Sequence, residues 1–448
     1  MSISHPRHVA VIGAGIVGLA VAERLVAEGH RVTVLAPDPP GSDRCASYGN
    51  GAFISPASVL PLSAPGLWRR VPAMLLDPAG PVSIRLRDLP RLAPWLLAFL
   101  RAGSRPDRVA RIAQALRLLL HDAPARHAAL SARAGAADLI RATGLLYAFR
   151  DRAAFEAERA GWRLRAECGV AWRACEGAEL RALAPDLSPA CRFAILVTGG
   201  AWCADPGGYL AALARFLGAA GAEVRCDRVE AIGISGGQLR GLSCAGGFLA
   251  CDAAVIAAGI ASAPLAAQAG DRVPLAAERG YHVEIADAPV SLAVPIMPQD
   301  GKMANVSIRG ALRAAGQVEI AAPEAPPNWA RAEVLLSHLE RTYPVLSGRS
   351  HDLRRWMGCR PSLPDGKPVI GRASGCAAVI HAFGHGHVGL ASAPATAEIV
   401  ADLLAGRPPA RDPAPFSPRR FRRFSARQKS DACPTQIRQL PGPRKDRP

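Results

Sequence analysis

The chain of 448 residues is poor in several features that would point to particular functions. Its eleven cysteines contain no C-x-x-C pair and no metal-like spacing. Thiols scattered through a long chain fit a reducing compartment rather than a disulfide framework, and they imply no metal site. Aromatic residues make up only 5%, and the excess charge sits largely in a tail rather than on an aromatic-studded basic face of the nucleic-acid-binding kind. Long apolar runs are missing too, since the stretch 95–100 is far too short to span a bilayer. The first strand pattern begins near residue 8, which leaves no room for a cleavable leader. The expectation is a cytoplasmic, soluble protein, or at most one peripheral to the inner face of the membrane. No internal repeat is visible.

What is present is apolar and basic. Hydrophobic residues make up 50%, with a mean hydropathy of +0.12. That is enough for a large core and suggests two domains. The net charge is +17, and residues 417–448 hold ten Lys/Arg against two Asp, about half of the excess. This end is basic, Pro-containing and without apolar periodicity, so residues 416–448 are expected to form a disordered tail. The tail admits two readings, a solvated end or a contact with anionic lipid or nucleic acid. A nucleic-acid partner is not expected for the ordered part.

Near the start, Val9–Ile12 is an apolar run fit for a buried parallel strand. Gly13, Gly15 and Gly18 follow in G-x-G-x-x-G spacing. A helix is predicted from about Gly15 to Glu28, and Gly29 and His30 end it. Arg31–Leu35 reads as a second strand. In that strand–turn–helix–strand setting the glycines signal a bound dinucleotide. Gly13 allows the tight turn, Gly15 the approach of a pyrophosphate, and Gly18 the close packing of helix on strand. The backbone of Ile16 and Val17 lies at the helix start. An acid should end the second strand to bind ribose hydroxyls, yet Ala36 stands there. Asp38 is the candidate substitute.

Farther along, several helices are predicted over 85–135, a strand at 143–149 and mainly helix over 151–183. Residues 223–257 read as a strand-rich return to the first domain. Antiparallel strands are predicted around 281–320, followed by an amphipathic helix over 329–343. The fold class is therefore α/β, a Rossmann-type dinucleotide-binding domain with a parallel sheet plus an α+β domain on a mixed or antiparallel sheet. The nucleotide domain is discontinuous, with pieces at about 1–58, 205–270 and 355–415. The other domain comprises 59–204 and 271–354, and an active site is expected at the junction.

In order and spacing, the segments ASYGNGA (46–52), DPGGYLAALA (205–214), RGYHVEI (279–285), GCRPSLPDGKPVIG (358–371) and AFGHGHVGLASAPAT (382–396) resemble FAD-dependent amine and amino-acid oxidoreductases of the D-amino-acid oxidase fold. The likeness is greatest to the small subunits of bacterial D-amino-acid dehydrogenases. The resemblance implies FAD rather than NAD. It places Ser47, Asn50 and Gly51 near the flavin, with Gly259 also on the cofactor. It sets Gly384, His385, Gly386, His387 and Gly389 at a helix start beside the isoalloxazine, where backbone N–H groups offset its developing negative charge. The family often has Thr where this chain has Ala391.

The same resemblance makes Arg360 the group that binds a substrate carboxylate, since a guanidinium meets a carboxylate with two parallel hydrogen bonds. The alternative is a salt-bridged structural arginine. His385 and His387 are either acid–base groups or packing residues of a loop whose backbone matters. Tyr281 and His282 either line the substrate cavity or pack in the core. The implied reaction is oxidation of a D-amino acid or a related primary or secondary amine by hydride transfer to flavin N5. It gives an imino acid, then a 2-oxo acid and ammonia, with quinone or oxygen as electron acceptor. Two other readings stand beside it: a flavin-dependent RNA-modifying enzyme, and a non-catalytic FAD-binding subunit.

Overall fold

The segments His8–Ile12, Arg31–Ala36, Ala253–Ile256 and Val379–Phe383 are rich in Val, Ile and Ala and buried along nearly their whole length. Such runs form strands covered on both faces. In a computed structural model, which describes residues 6–69, 80 and 82–422, they build one six-stranded sheet. Its order is Glu223–Cys226, Arg31–Ala36, His8–Ile12, Ala253–Ile256, Val379–Phe383 and Val369–Arg372. All neighbours are parallel except the last pair.

Helix Ile16–Ala27 packs against helices Pro206–Ala219 and Gly389–Ala405. An antiparallel three-stranded sheet over 229–249 sets Ile232, Leu242 and Leu249 against the core residues Ala10, Ile12 and Ile256. Among the described residues, Gly386–Ala405 is the one stretch long and apolar enough to cross a bilayer. Leu390 through Ala397 are all buried in the protein, so it is a core helix.

The second sheet is larger and mixed. It runs Leu353–Ser362, Ala276–Ile285, Ala311–Ile320, Ala304–Ile308, Ile296–Pro298, Leu145–Phe149, Phe193–Val197 and Trp172–Glu176. Val82–Ile84 adds to Ala311–Ile320 in parallel. Helix Ala330–Thr342 packs on two of its strands, Ala276–Ile285 and Ala311–Ile320.

Three expectations change. The strand Leu353–Ser362 pairs over its full length with Ala276–Ile285, so residues 355–362 belong to the large sheet and not to the nucleotide domain. Helices Pro106–Leu120 and Ala123–Arg133, assigned to the second domain, lie against Gly389–Ala405. His127 joins them, its Nε2 2.7 Å from the Leu390 carbonyl and its Nδ1 3.2 Å from the Tyr209 hydroxyl. Finally, the start of the expected disordered tail is ordered. Phe416 and Phe421 are buried, and the Arg420 guanidinium meets Asp365 at 2.9 Å. Basic composition concealed two aromatic anchors. Residues 423–448 lie outside the described residues.

Candidate functional site

One cavity of about 1240 Å³ runs between the two sheets. Its floor is the glycine turn. Gly13 has φ +117°, and a Cβ there would sit 2.3 Å from the Ala257 carbonyl oxygen. A Cβ on Gly18 would fall 1.9 Å from the Gly13 oxygen. Both positions therefore need hydrogen in place of a side chain. Gly18 does not line the cavity; it presses helix onto turn, the packing part of the expectation rather than a cofactor contact. Gly13, Gly15, Ile16 and Val17 do line it. At Gly15 an added Cβ would meet only Ser47 Oγ, at 3.4 Å. Ser47 Oγ in turn accepts a hydrogen bond from the Ile16 N–H at 3.2 Å.

The 45–51 loop forms a side wall and is held from the opposite sheet. Arg313 donates through one nitrogen to the carbonyls of Tyr48 (2.9 Å) and Asn50 (3.1 Å), and through Nε to Glu284 (2.7 Å). The Asn50 side-chain oxygen accepts from the Ala52 N–H at 2.6 Å. Trp356 donates to the Asp43 carbonyl at 2.6 Å and stacks on His282 with centroids 5.0 Å apart. His282 Nδ1 lies 3.3 Å from the Gly49 oxygen. Burial, then the Arg313 charge, lowers the His282 pKa to about 3, so its ring is neutral. Asp38 lies on the cavity wall 3.5 Å from Arg44, just past Ala36.

The far wall is the 384–391 segment with Arg360. Gly384 (φ +82°) would place a Cβ 2.5 Å from Leu363. Gly259, Gly386, Gly389 and Ala391 line the same space. Arg360 donates to Glu278 (3.2 Å) and to the carbonyls of Gln317 (3.1 Å) and Gly316 (3.4 Å). Those carbonyls come from an irregularity in the strand pairing, where the register slips between Arg279 and Tyr281. Gln317 there has φ +57°. The slip is a β-bulge that re-aims backbone groups toward a side chain. Ser362 Oγ donates to the other Glu278 oxygen at 2.8 Å. Arg360 is thus both salt-bridged and on the cavity wall, with its side chain 24% exposed.

The histidines are closed in. His385 and His387 lie on the wall, but His385 Nε2 is 3.0 Å from Thr396 Oγ1, and burial lowers its pKa to about 3. His387 is also made harder to protonate by burial; Glu278 pulls the other way and Arg360 adds to the effect.

Tyr281 is a correction. It does not line the cavity. Its hydroxyl donates to Glu319 at 2.5 Å and accepts from the Asn328 N–H at 3.0 Å, within the core behind the sheet. Side chains alternate along a strand, and it is Glu278 and Gly280 that reach the cavity. Tyr147, Arg165 and Trp356 also line it and were not singled out from sequence. Tyr147 sits in a strand buried at every position, so no alternation marks it.

A family model described as FAD dependent oxidoreductase (DAO) matches residues 8–403. A D-amino-acid oxidase of Bradyrhizobium diazoefficiens is 45% identical over 93% of this chain and 99% of its own length. A D-amino acid dehydrogenase 2 of Ralstonia nicotianae is 31% identical over 91% and 99%. Among solved structures, glycine oxidase from Geobacillus kaustophilus superposes with a TM-score of 0.71, at 23% identity over 92% of this chain and 98% of that one. The last likeness shows the fold.

Proposed function

Because the chain belongs to the DAO family of FAD-dependent oxidoreductases, we propose that it oxidises a D-amino acid, or a related primary or secondary amine, to an imino acid. Water then adds to the imine and releases ammonia, leaving a 2-oxo acid. One observation carries this reading. The guanidinium of Arg360, steadied by Glu278 and two bulge carbonyls, opens onto the same cavity as the Gly13–Gly15 turn.

The residues present fit FAD. A long cavity starts at a glycine cradle that no side chain can fill and ends at a second glycine-rich segment. Gly13, Gly15, Ile16, Val17 and Ser47 would hold the pyrophosphate, and Asp38 the ribose. Asn50, Gly51, Gly259 and the 384–389 segment would enclose the ring system. When bound, FAD supplies the two-electron acceptor.

Protein groups supply position. Arg360 fixes the substrate carboxylate, which orients the α-carbon and lowers the entropic part of the barrier. His385 and His387 are buried and hard to protonate. Their lowered basicity makes neither a ready acceptor for the ammonium proton, so the amine loses that proton to solvent before it reacts. Electrons leave to dioxygen or a quinone in a cytoplasmic setting. The higher identity to a protein named an oxidase supports dioxygen.

The test is anaerobic. The purified yellow protein is mixed with D-amino acids, glycine and sarcosine, and its visible absorbance is followed. Bleaching by at least one D-amino acid is expected. A flavin that stays oxidised with the whole panel would overturn the reading.

A further inference from the structure

We propose that Arg165 is a second anion-recognising group in this cavity, and that the preferred substrate carries a distal carboxylate. This rests on the amino-acid reading above and narrows it.

Arg165 lies in helix Arg159–Glu167 and lines the cavity beside Tyr147, Glu158 and Lys302. Its Nε donates to the Ala57 carbonyl at 3.0 Å, and its guanidinium lies over Trp162 at 4.6 Å. Trp162 in turn meets Tyr147 edge-on at 5.0 Å. Among the described residues no carboxylate comes within ion-pair distance of Arg165, whereas Arg360 has Glu278. Its burial is deep enough to lower its pKa. Glu158 is the acid that acts on it, but that carboxylate is shared with Lys302 at 3.8 Å. The corner therefore carries two cations against one anion. A half-buried cation with no carboxylate at ion-pair distance favours an anionic ligand, because a charge short of counter-ions is costly to keep out of water.

Strand order separates the two arginines. Arg360 is anchored on strand Ala311–Ile320, and Tyr147 lies three strands away, past Ala304–Ile308 and Ile296–Pro298. At about 4.8 Å per strand, Tyr147, beside which Arg165 lines the cavity, stands about 14 Å from the carbonyls that hold Arg360, so the two guanidinium groups would meet different ends of one substrate.

The experiment compares kcat/KM for D-glutamate, D-2-aminoadipate, D-glutamine and D-norvaline, using the FAD-bound enzyme. The wild-type enzyme is expected to favour an acidic substrate over D-glutamine by about tenfold or more. Arg165→Met should remove about 30-fold from the acidic substrate, through KM, and leave D-norvaline nearly unchanged. Arg165→Lys should recover part of the loss. If both substrate classes fall together, Arg165 is only a peg for the Ala57 loop and the proposal is overturned. Should the variants fail to fold, inhibition of the wild-type enzyme decides: glutarate must bind more tightly than valerate, and equal binding refutes the proposal. Neutral D-amino acids that bleach the flavin while acidic ones bind no better would sink this inference alone. A flavin reduced by no D-amino acid would sink the underlying function with it.

Discussion

Replacing Arg360 by Met separates anchoring from stability. Glu278 is buried, and Arg360 and Ser362 are the donors that hold it. Removing one partner of a buried pair costs about 3–5 kcal/mol. The Arg360 side chain is 24% exposed, however. Solvent screening and the surviving Ser362 bond bring the stability loss nearer ~2 kcal/mol. The substrate loses a charge-assisted, two-point contact of about 3 kcal/mol, or roughly a hundredfold in kcat/KM. The double variant Arg360→Met/Glu278→Gln removes the orphaned charge. It should regain most of the stability and none of the activity. His387 reports independently: loss of Arg360 removes a cation that opposes its protonation and leaves Glu278, which favours it. Its protonation should therefore move to higher pH and add an acidic-side inflection to the rate profile. The assays are urea midpoints and anaerobic flavin reduction by a D-amino acid. A kcat/KM within about threefold of wild type would refute the anchoring role, given a contact of this strength.

Gly18→Ala places a Cβ 1.9 Å from a backbone oxygen and should abolish folding or flavin retention, while Gly15→Ala, facing only Ser47 Oγ at 3.4 Å, should give a yellow protein with weaker binding; equal absorbance spectra for the two would contradict the packing argument. Phe416→Ala should cost about 3–5 kcal/mol in a denaturant titration, because the ring is fully buried; no change in midpoint would mean that 414–421 is detached in solution. Burial lowers the pKa of His127 to about 4, and of His282 and His385 to about 3. The unfolded chain binds protons at these sites below about 6.5 and the folded one does not. Stability should then be full above that pH and fall steadily toward pH 4. Urea midpoints at pH 7.5 and 5 check the sign, and His127→Gln should shrink the difference; a midpoint that rises in acid would refute it.

The glycine turn was legible because its demand is local. Gly13 needs a backbone conformation and Gly18 needs missing atoms, and both needs are written in the residue type itself. The 384–389 segment was placed by resemblance, and the structure sets it on the cavity wall. Tyr281 was not legible. Its strand is buried at all ten positions, so polarity gives no clue to which face looks into the cavity. Neighbours on that strand therefore resist assignment by pattern. Arg165 was hidden differently. It lies in a basic amphipathic helix where most arginines are solvated, and only tertiary packing against Trp162 and Ala57 turns it inward. The ordered end at 414–421 was masked by charge, since composition weighed its arginines and missed that Arg420 has Asp365 to meet.

The discontinuity of the chain has a consequence for the cofactor site. The 45–51 loop belongs to the nucleotide half by sequence, yet its carbonyls are fixed by Arg313 and its neighbourhood by His282 and Trp356, all from the large sheet. Gly49 and Gly358 both press on the Trp356 ring, where any side chain would collide. Arg313 is itself buried and paired with Glu284, so the clamp is part of the sheet and not a surface latch. The cavity wall is therefore a joint product of both halves. The N-terminal pieces alone would keep the Gly13–Gly18 turn but lose the support for the 45–51 loop. Under the proposed function, cofactor enclosure and substrate anchoring would draw on the same sheet, since the strand that carries Trp356 also carries Arg360.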